Sequence, residues 1–147
     1  METVPVRVLL VEDHKLMRVG LKSLFDELKD IDIVSEAQTG KEALENYKIT
    51  HPDVTLMDIG LPDISGIEVT KRIIETNQNA AIIILTSHLT EQEVMESLQA
   101  GAKAYVMKDI NIEILRMIIK TVKEGAMWID PKVVPILRDK NCGIIVS

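Results

Sequence analysis

Acidic side chains directly follow two apolar runs of the chain, where strands of one sheet are expected to end. Glu12 and Asp13 follow the run 6–11, and Asp58 follows the run 54–57. Carboxylates at a strand end are poorly placed for a core and well placed for a site. Held close together they repel each other, which raises their pKa values or favours a bound cation. An oxygen-only set suits magnesium (Mg²⁺), whereas zinc sites in proteins usually include cysteine or histidine.

Two other predicted strand ends carry groups that suit phosphate chemistry. Thr86 offers a hydroxyl donor, and Lys108 offers a compact cation for a phosphoryl oxygen. Either residue alone could equally be a loop cap or a solvated charge, but beside three carboxylates the pair favours a site. A metal near a carboxylate favours phosphoryl transfer, in which the carboxylate can become an aspartyl phosphate. Asp58 stands alone at its strand end and is therefore the best candidate nucleophile, whereas His14 is expected to be a surface residue.

Short apolar runs alternate five times with amphipathic stretches, which predicts a parallel sheet with helices on both faces. The strands are expected near 6–11, 32–37, 53–58, 81–86 and 104–107, and the helices near 14–28, 40–49, 65–76, 90–100 and 111–123. We therefore expect an α/β fold of three layers, with a doubly wound five-stranded parallel sheet in the order 2-1-3-4-5. In that order the ligand crevice lies between strands 1 and 3, where Glu12, Asp13 and Asp58 would meet.

Capping signals mark several of the predicted helix ends. Three helix starts carry a Ser/Thr followed three residues later by Glu, which predicts helix caps and not catalytic carboxylates. They are Thr39 with Glu42, Ser65 with Glu68 and Thr90 with Glu93. Gly101 suits the end of the fourth helix. Asp130-Pro131 is expected to begin a short final helix that reaches about Arg138.

Composition limits the broad class of protein. The 147 residues are 46% hydrophobic and 27% charged, which fits one soluble domain with a sizeable core. A net charge of −6 argues against nucleic-acid binding by this chain alone. The single Cys142 cannot form an internal disulfide, which fits a cytoplasmic protein. We expect neither a signal peptide nor a membrane span, because no apolar run approaches the ~20 residues that a span requires.

The site residues occur in the order and spacing of a known family. Glu12-Asp13, Asp58, Thr86 and Lys108 resemble the receiver domain of bacterial two-component response regulators, over roughly residues 5–125. Further stretches resemble the NarL/FixJ-like branch of this family, the helix-turn-helix branch. They are residues 12–14 with Arg18 and 20–21, residues 58–62 with 65–66, and residues 101–109. The chain has Asp109 where many receivers have a proline after the lysine. The resemblance implies the flavodoxin-like, CheY-like receiver fold.

This resemblance assigns roles to the acidic residues. Asp58 would accept a phosphoryl group from a sensor histidine kinase. Asp13 and Asp58 would bind Mg²⁺ directly, and Glu12 would assist through water. The backbone carbonyl of Gly60 would complete the metal site.

The resemblance also implies a conformational switch. Thr86 and Lys108 would bind phosphoryl oxygens, together with the backbone N–H groups of Gly60 and Ser87. Tyr105 would move with Thr86 as an aromatic switch, although plain strand packing also accounts for a buried tyrosine. The expected output surface is helix 4, strand 5 and helix 5, and a homodimer could form there or through helices 1 and 5. The implied domain is a phosphoacceptor and not a conventional enzyme, apart from weak self-phosphorylation from small donors and self-dephosphorylation.

Residues 1–125 are predicted to form the receiver domain, and residues 126–147 a linker, a short helix and a tail. The related regulators usually bind DNA through a C-terminal helix-turn-helix domain, for which the predicted tail leaves no room. The chain is therefore expected to be either an excised receiver or a natural stand-alone one, which regulates transcription through a missing or separate DNA-binding domain. The apolar stretch 143–146 is expected to be a loose end and not a docking segment.

Two other functions remain open at this point. A pseudo-receiver would bind partners without phosphorylation, but such proteins usually lose site residues that this chain retains. A flavin-binding module of the same fold would need a glycine-rich or Ser/Thr-rich phosphate loop after strand 1. That position is occupied by the acidic pair Glu12-Asp13.

Overall fold

The computed structural model describes residues 4–140 as an open parallel sheet between two layers of helices. The strands are β1 (Val6–Val11), β2 (Ile31–Ala37), β3 (Val54–Met57), β4 (Ile82–Thr86), β5 (Ala104–Met107) and β6 (Trp128–Ile129). Their order in the sheet is β2-β1-β3-β4-β5-β6. The predicted five-strand order is therefore confirmed, and one edge strand is added to it.

Six helices cover the two faces of this sheet within the described residues. They are α1 (Lys15–Asp26), α2 (Gly40–Thr50), α3 (Gly66–Thr76), α4 (Glu91–Gln99), α5 (Ile112–Lys123) and α6 (Val134–Lys140). Apolar residues of α1 and α5 share one cluster with the sheet. Those of α2, α3, α4 and α6 share the other. None of these helices has the length and apolar character needed to cross a bilayer.

The central strands are apolar on both sides because both faces of the sheet are covered. Leu10 and Leu56 point into the cluster beneath α1 and α5, whereas their neighbours Leu9 and Met57 point into the opposite cluster. All four side chains are at most 1% exposed. Complete burial of such a side chain contributes roughly 1.5–3 kcal/mol each, so the core holds β1 and β3 firmly in place.

Side-chain oxygens accept backbone hydrogen bonds at the starts of three helices, at the positions that the sequence predicts. The Thr39 and Thr90 hydroxyls accept from the N–H groups of Glu42 and Glu93, which confirms both caps. The Ser65 hydroxyl also caps its helix, but accepts from the N–H of Ile67. Gly101 ends α4 with a φ of 106°, a conformation that suits a residue without a Cβ.

Residues beyond 125 contribute a strand and a helix to the fold. β6 pairs with β5 in parallel, so that Ile129 lies opposite Tyr105. Val133 and Leu137 are buried in the cluster that α2, α3, α4 and α6 share with the sheet. The short final helix is present but begins at Val134, after a turn in which the Asp130 carboxylate accepts from the Lys132 N–H. The predicted domain boundary at residue 125 stays a prediction, and the expected tail lies outside the described residues.

Candidate functional site

The site lies at the carboxyl edge of the sheet, where β1 and β3 end side by side. The parallel register pairs Val11 with Met57, the last residues of the two strands. The N–H of Asp58 then donates to the carbonyl of Val11 at 3.0 Å. Glu12 is anchored on the other side, because its N–H donates to the carbonyl of Ala37 at 3.0 Å. The sheet therefore brings together the acidic residues that the sequence predicts to meet.

Four side chains form an acidic cluster at this edge. Glu12, Asp13, His14 and Asp58 each offer one ligand atom, and these atoms all lie within 4.8 Å of one another. Glu12 and Asp58 are 2% and 6% exposed, so their carboxylates are largely removed from bulk water. His14 is exposed, as expected, but its Nδ1 lies 3.3 Å from Asp13 Oδ1, a proximity that the sequence interpretation missed.

One oxygen in this cluster lacks a hydrogen bond. Asp13 Oδ1 is buried and accepts no hydrogen bond from the described residues, although His14 Nδ1 is nearby. A buried carboxylate oxygen without a partner is costly, and a bound cation would compensate it. The cluster therefore fits a hard divalent cation bound mainly through oxygen.

Lys108 supplies the positive charge of the site. Its Nζ lies 2.6 Å from Glu12 Oε1 and 3.4 Å from Asp58 Oδ1. The residue reaches this position because its backbone N–H donates to the Thr86 carbonyl at 2.7 Å, just beyond the paired ends of β4 and β5. The structure thus brings Lys108 to the acidic cluster, as the strand-end pattern predicts.

The pKa of Asp58 is raised above the ordinary aspartate value of 3.8. Burial is the main cause, and the neighbouring Glu12 adds to the rise. Lys108 and the Gly60 N–H oppose it, the latter from 3.4 Å to Asp58 Oδ1. Asp58 is therefore an under-compensated carboxylate that would gain from added positive charge.

Thr86 and Ser87 lie at the end of β4, next to Lys108, and Tyr105 lies within the neighbouring strand β5. Thr86 is 1% exposed, whereas Ser87 is exposed at the start of the following loop. Tyr105 is 2% exposed, and its hydroxyl donates to the carbonyl of His88 at 3.1 Å. Burial and the charge of Glu93 raise the pKa of Tyr105 to about 12, and a hydrogen bond with Thr86 opposes this rise. Tyr105 therefore points inward and connects the Thr86 loop to the core.

Two residues that support the site have roles beyond those that the sequence assigns. Arg18 enters the sequence interpretation only as part of a family motif. Its buried guanidinium donates to the carbonyl of Glu12 at 2.9 Å, which fixes the backbone of the acidic pair. Asp63 has no assigned role, yet its carboxylate binds backbone N–H groups of α2. A local pattern cannot reveal either contact, because the partners come from other elements.

Comparison with known proteins identifies the family to which this fold belongs. Residues 8–120 match the family model of the response regulator receiver domain. The chain belongs to this receiver family. Receiver domains are phosphoacceptor signalling modules and not conventional enzymes, which confirms the class expected from the sequence.

Curated relatives of this receiver domain are bacterial regulators. It is 41% identical over 108 residues to the uncharacterized transcriptional regulatory protein YhcZ of Bacillus subtilis, covering 74% of this chain and 50% of that protein. It is 33% identical over 125 residues to the response regulator protein VraR of Staphylococcus saprophyticus, covering 84% and 60%. The chain thus spans only about half to two thirds of the length of the curated relatives it matches.

Solved structures agree with the receiver fold and with its branch. A LuxR-family two-component response regulator from Aurantimonas matches with a TM-score of 0.85 at 30% identity, covering 93% of this chain and 98% of that chain. The signal receiver domain of NarL from Mycobacterium tuberculosis matches with a TM-score of 0.76 at 29% identity, covering 82% and 98%. The resemblance to the NarL/FixJ-like branch is therefore confirmed.

Proposed function

We propose that this receiver is switched by transfer of a phosphoryl group to Asp58. The observation that carries the proposal is the buried Asp58 carboxylate, which has a raised pKa and lies 3.4 Å from the Lys108 ammonium. In this reaction an Asp58 oxygen attacks the phosphorus of a phosphohistidine. The P–N bond breaks, its electron pair stays on the imidazole nitrogen, and an acyl phosphate forms on Asp58.

The acidic cluster would bind Mg²⁺ for this step. We assign Asp13 and Asp58 as direct ligands, Glu12 as a ligand through water, and the Gly60 backbone carbonyl as a further ligand. When bound, the ion would neutralise negative charge on the carboxylate and on the incoming phosphoryl oxygens. The buried Asp13 oxygen that accepts no hydrogen bond in the described chain supports this assignment.

Lys108 and neighbouring hydrogen-bond donors would bind the phosphoryl oxygens. Lys108 would exchange its contact with Glu12 for one with a phosphoryl oxygen, a movement that its long side chain permits. The Thr86 hydroxyl and the backbone N–H groups of Gly60 and Ser87 would donate to the remaining oxygens. The burial of Thr86 next to Lys108 supports its role, because a donor there is shielded from competing water.

Phosphorylation would then shift a two-state equilibrium. A phosphoryl group adds up to two negative charges and binds one arrangement of the Thr86 loop more strongly than the other. Tyr105 would transmit that change, because its hydroxyl contacts the same loop at His88 and its ring lies in the core beneath α4. The affected surface would be that of α4, β5 and α5.

A sensor histidine kinase is the phosphoryl donor that membership of this family supports. An apolar groove of about 520 Å³ lies between α1 and α5 and is bordered by Lys108. Leu16 and Leu24, at 88% and 46% exposure, present apolar surface along it. A donor helix seated there would bring its phosphohistidine to the mouth of the site. Because such a kinase draws its phosphoryl group from ATP, the receiver would act in the cytoplasm. It would control transcription through a DNA-binding domain.

A direct test uses a small phosphodonor and intact-mass measurement. The purified chain is incubated with acetyl phosphate, with and without Mg²⁺, beside the Asp58→Ala variant. We expect a Mg²⁺-dependent gain of one phosphoryl group in the wild-type chain and none in the variant. Labelling of the variant would overturn the assignment of Asp58. Failure to label a folded, Mg²⁺-binding wild-type chain would favour a pseudo-receiver that binds partners without phosphorylation.

A further inference from the structure

The loop between β3 and α3 carries both Asp58 and Gly60, and its two ends are held by backbone hydrogen bonds. At its start the Asp58 N–H donates to Val11, and near its end the Gly66 N–H donates to Ile59 at 2.9 Å. Gly66 lies directly against the Asp58 carbonyl, since a Cβ there would come within 2.0 Å of that oxygen. The middle of the loop is held by a side chain.

Asp63 joins the middle of this loop to the first turn of α2. Its Oδ1 accepts from the Gly40 N–H at 2.7 Å, and its Oδ2 accepts from the Lys41 N–H at 2.9 Å. These N–H groups belong to the helix start, where backbone donors have no partner within the helix and attract negative charge. The two bonds hold the pKa of Asp63 down at about 2, so the carboxylate is charged at any physiological pH.

Close packing beside Asp63 reinforces this connection. A Cβ on Gly40 would come within 2.4 Å of Ile64 Cγ1, so the glycine allows the loop to contact the helix start directly. Gly60, three residues before Asp63, is less firmly held, since its N–H donates to Asp58 Oδ1 only at 3.4 Å. It is exposed, and a Cβ placed on it would meet nothing within 4 Å. The position of the Gly60 backbone therefore depends on the anchors around it.

We propose that Asp63 is a positioning residue for the Asp58 site, which holds the loop on α2 and thereby fixes the backbone of Gly60. This inference rests on the proposed function, in which the Gly60 carbonyl binds Mg²⁺ and its N–H binds a phosphoryl oxygen. Small displacements of such groups reduce rates steeply, because positioning accounts for most of the catalysis in phosphoryl transfer.

The alternative is that Asp63 is only a helix cap, and Thr39 provides the matched control. The Thr39 hydroxyl accepts from the Glu42 N–H at 3.0 Å, so it caps the same turn of α2. Thr39 is not part of the β3–α3 loop. Thr39→Ala and Asp63→Ala should therefore both weaken the start of α2, whereas only Asp63→Ala should release the loop.

The experiment compares these two variants with the wild-type chain by three measurements: urea unfolding, Mg²⁺ affinity by titration calorimetry, and backbone hydrogen exchange without metal. We expect both variants to lower the urea midpoint. Only Asp63→Ala should accelerate exchange at Gly60 and Leu61, weaken Mg²⁺ binding about tenfold and slow labelling by acetyl phosphate to a similar degree. Asp63→Asn, which retains one acceptor oxygen, should lie between Asp63→Ala and wild type.

Equal exchange rates and equal Mg²⁺ affinities in Asp63→Ala and Thr39→Ala would overturn the proposal and leave Asp63 as a cap. Failure of the proposed function would give a different set of results. In that case the wild-type chain itself would not be labelled by acetyl phosphate, whereas faster loop exchange and weaker Mg²⁺ binding in Asp63→Ala would still support the positioning role.

Discussion

The Lys108 ammonium lies closer to Glu12 than to Asp58, with Nζ 2.6 Å from Glu12 Oε1 and 3.4 Å from Asp58 Oδ1. One cation thus serves two buried carboxylates, and the one proposed to react receives the weaker contact. This unequal sharing leaves Asp58 available to a second cation. It also makes Lys108 a structural element of the metal-free site as well as a candidate ligand for phosphate.

Lys108→Met should therefore destabilise the metal-free protein. Removing the ammonium leaves Glu12 and Asp58 buried without their cation, which costs about 2–3 kcal/mol of unfolding free energy. Added Mg²⁺ should recover part of this loss, because it supplies charge to the same carboxylates. Urea unfolding with and without Mg²⁺ measures both effects.

The control is Lys120→Met, which removes an ion pair with Asp30 at the surface. Lys120 is 49% exposed, so its loss should cost about 0.5 kcal/mol or less. Equal destabilisation by the two substitutions would contradict the role given to Lys108 in the metal-free site.

Asp58→Asn should stabilise the metal-free chain at neutral pH. Because burial and Glu12 raise the pKa of Asp58 in the folded state, the folded protein binds this proton more tightly than the unfolded chain does. Stability from this group is present below the unfolded value of 3.8 and is lost as pH rises through the folded pKa. Asparagine does not ionise, so the variant avoids that loss.

Urea unfolding of wild type and Asp58→Asn at neutral pH and near pH 4 provides the measurement. The variant should be the more stable protein at neutral pH, and the difference should shrink on acidification. A variant that is no more stable at neutral pH would mean that Lys108 fully compensates the Asp58 charge.

Asp13→Asn should weaken Mg²⁺ binding without lowering the stability of the metal-free protein. The substitution removes a charge from a carboxylate whose buried oxygen accepts no hydrogen bond in the described chain, so metal-free stability should be unchanged or increased. Mg²⁺ affinity should fall at least about tenfold, since Mg²⁺ depends on one or two carboxylates. Calorimetric titration and urea unfolding give the two values. Asp32→Asn, on an exposed position of β2, should alter neither, and a matching loss there would point to a general charge effect.

The sequence predicts those parts of the site that depend only on where the strands end. Asp58 and Lys108 follow buried strands, and parallel strands bring their carboxyl ends to one edge of the sheet, so their meeting follows from topology. The sequence does not predict that Lys108 Nζ lies closer to Glu12 than to Asp58, because this depends on the side-chain conformations of residues from three elements. Nor does it predict the bonds from Asp63 to α2, which depend on the path of a loop 22 or 23 residues away from its partners. Strand β6 has two residues, too few to show a periodic pattern.

Leu16→Ser should separate kinase phosphorylation from small-donor phosphorylation. Leu16 is 88% exposed at the start of α1 and borders the groove proposed to seat the kinase helix. We expect phosphotransfer from a histidine kinase that labels the wild-type chain to slow by roughly tenfold or more, because truncation of a residue that anchors an interface costs about 2 kcal/mol or more. Labelling by acetyl phosphate should be unchanged, because the site itself is intact.

The matched control for this experiment is Ile49→Ser. Ile49 is 76% exposed on α2, which packs on the other face of the sheet, and therefore offers a similar apolar side chain away from the groove. Equal slowing by both substitutions, or normal kinase transfer to Leu16→Ser, would place the donor on another surface.

Leu137→Ala tests whether the residues after 125 belong to the folded unit. Leu137 is 1% exposed and lies in the same cluster as Tyr105, whose strand partner is Ile129. Truncating it should leave a cavity and lower the unfolding free energy by about 2–3 kcal/mol, as measured by urea unfolding. Arg138→Ala, an exposed position on the same helix, should change it by about 0.5 kcal/mol or less. If both variants unfold like wild type, α6 does not contribute to the stability of the folded unit. If Leu137→Ala alone is destabilised, the cooperative unit extends past α5 and includes the cluster that surrounds the proposed switch residue.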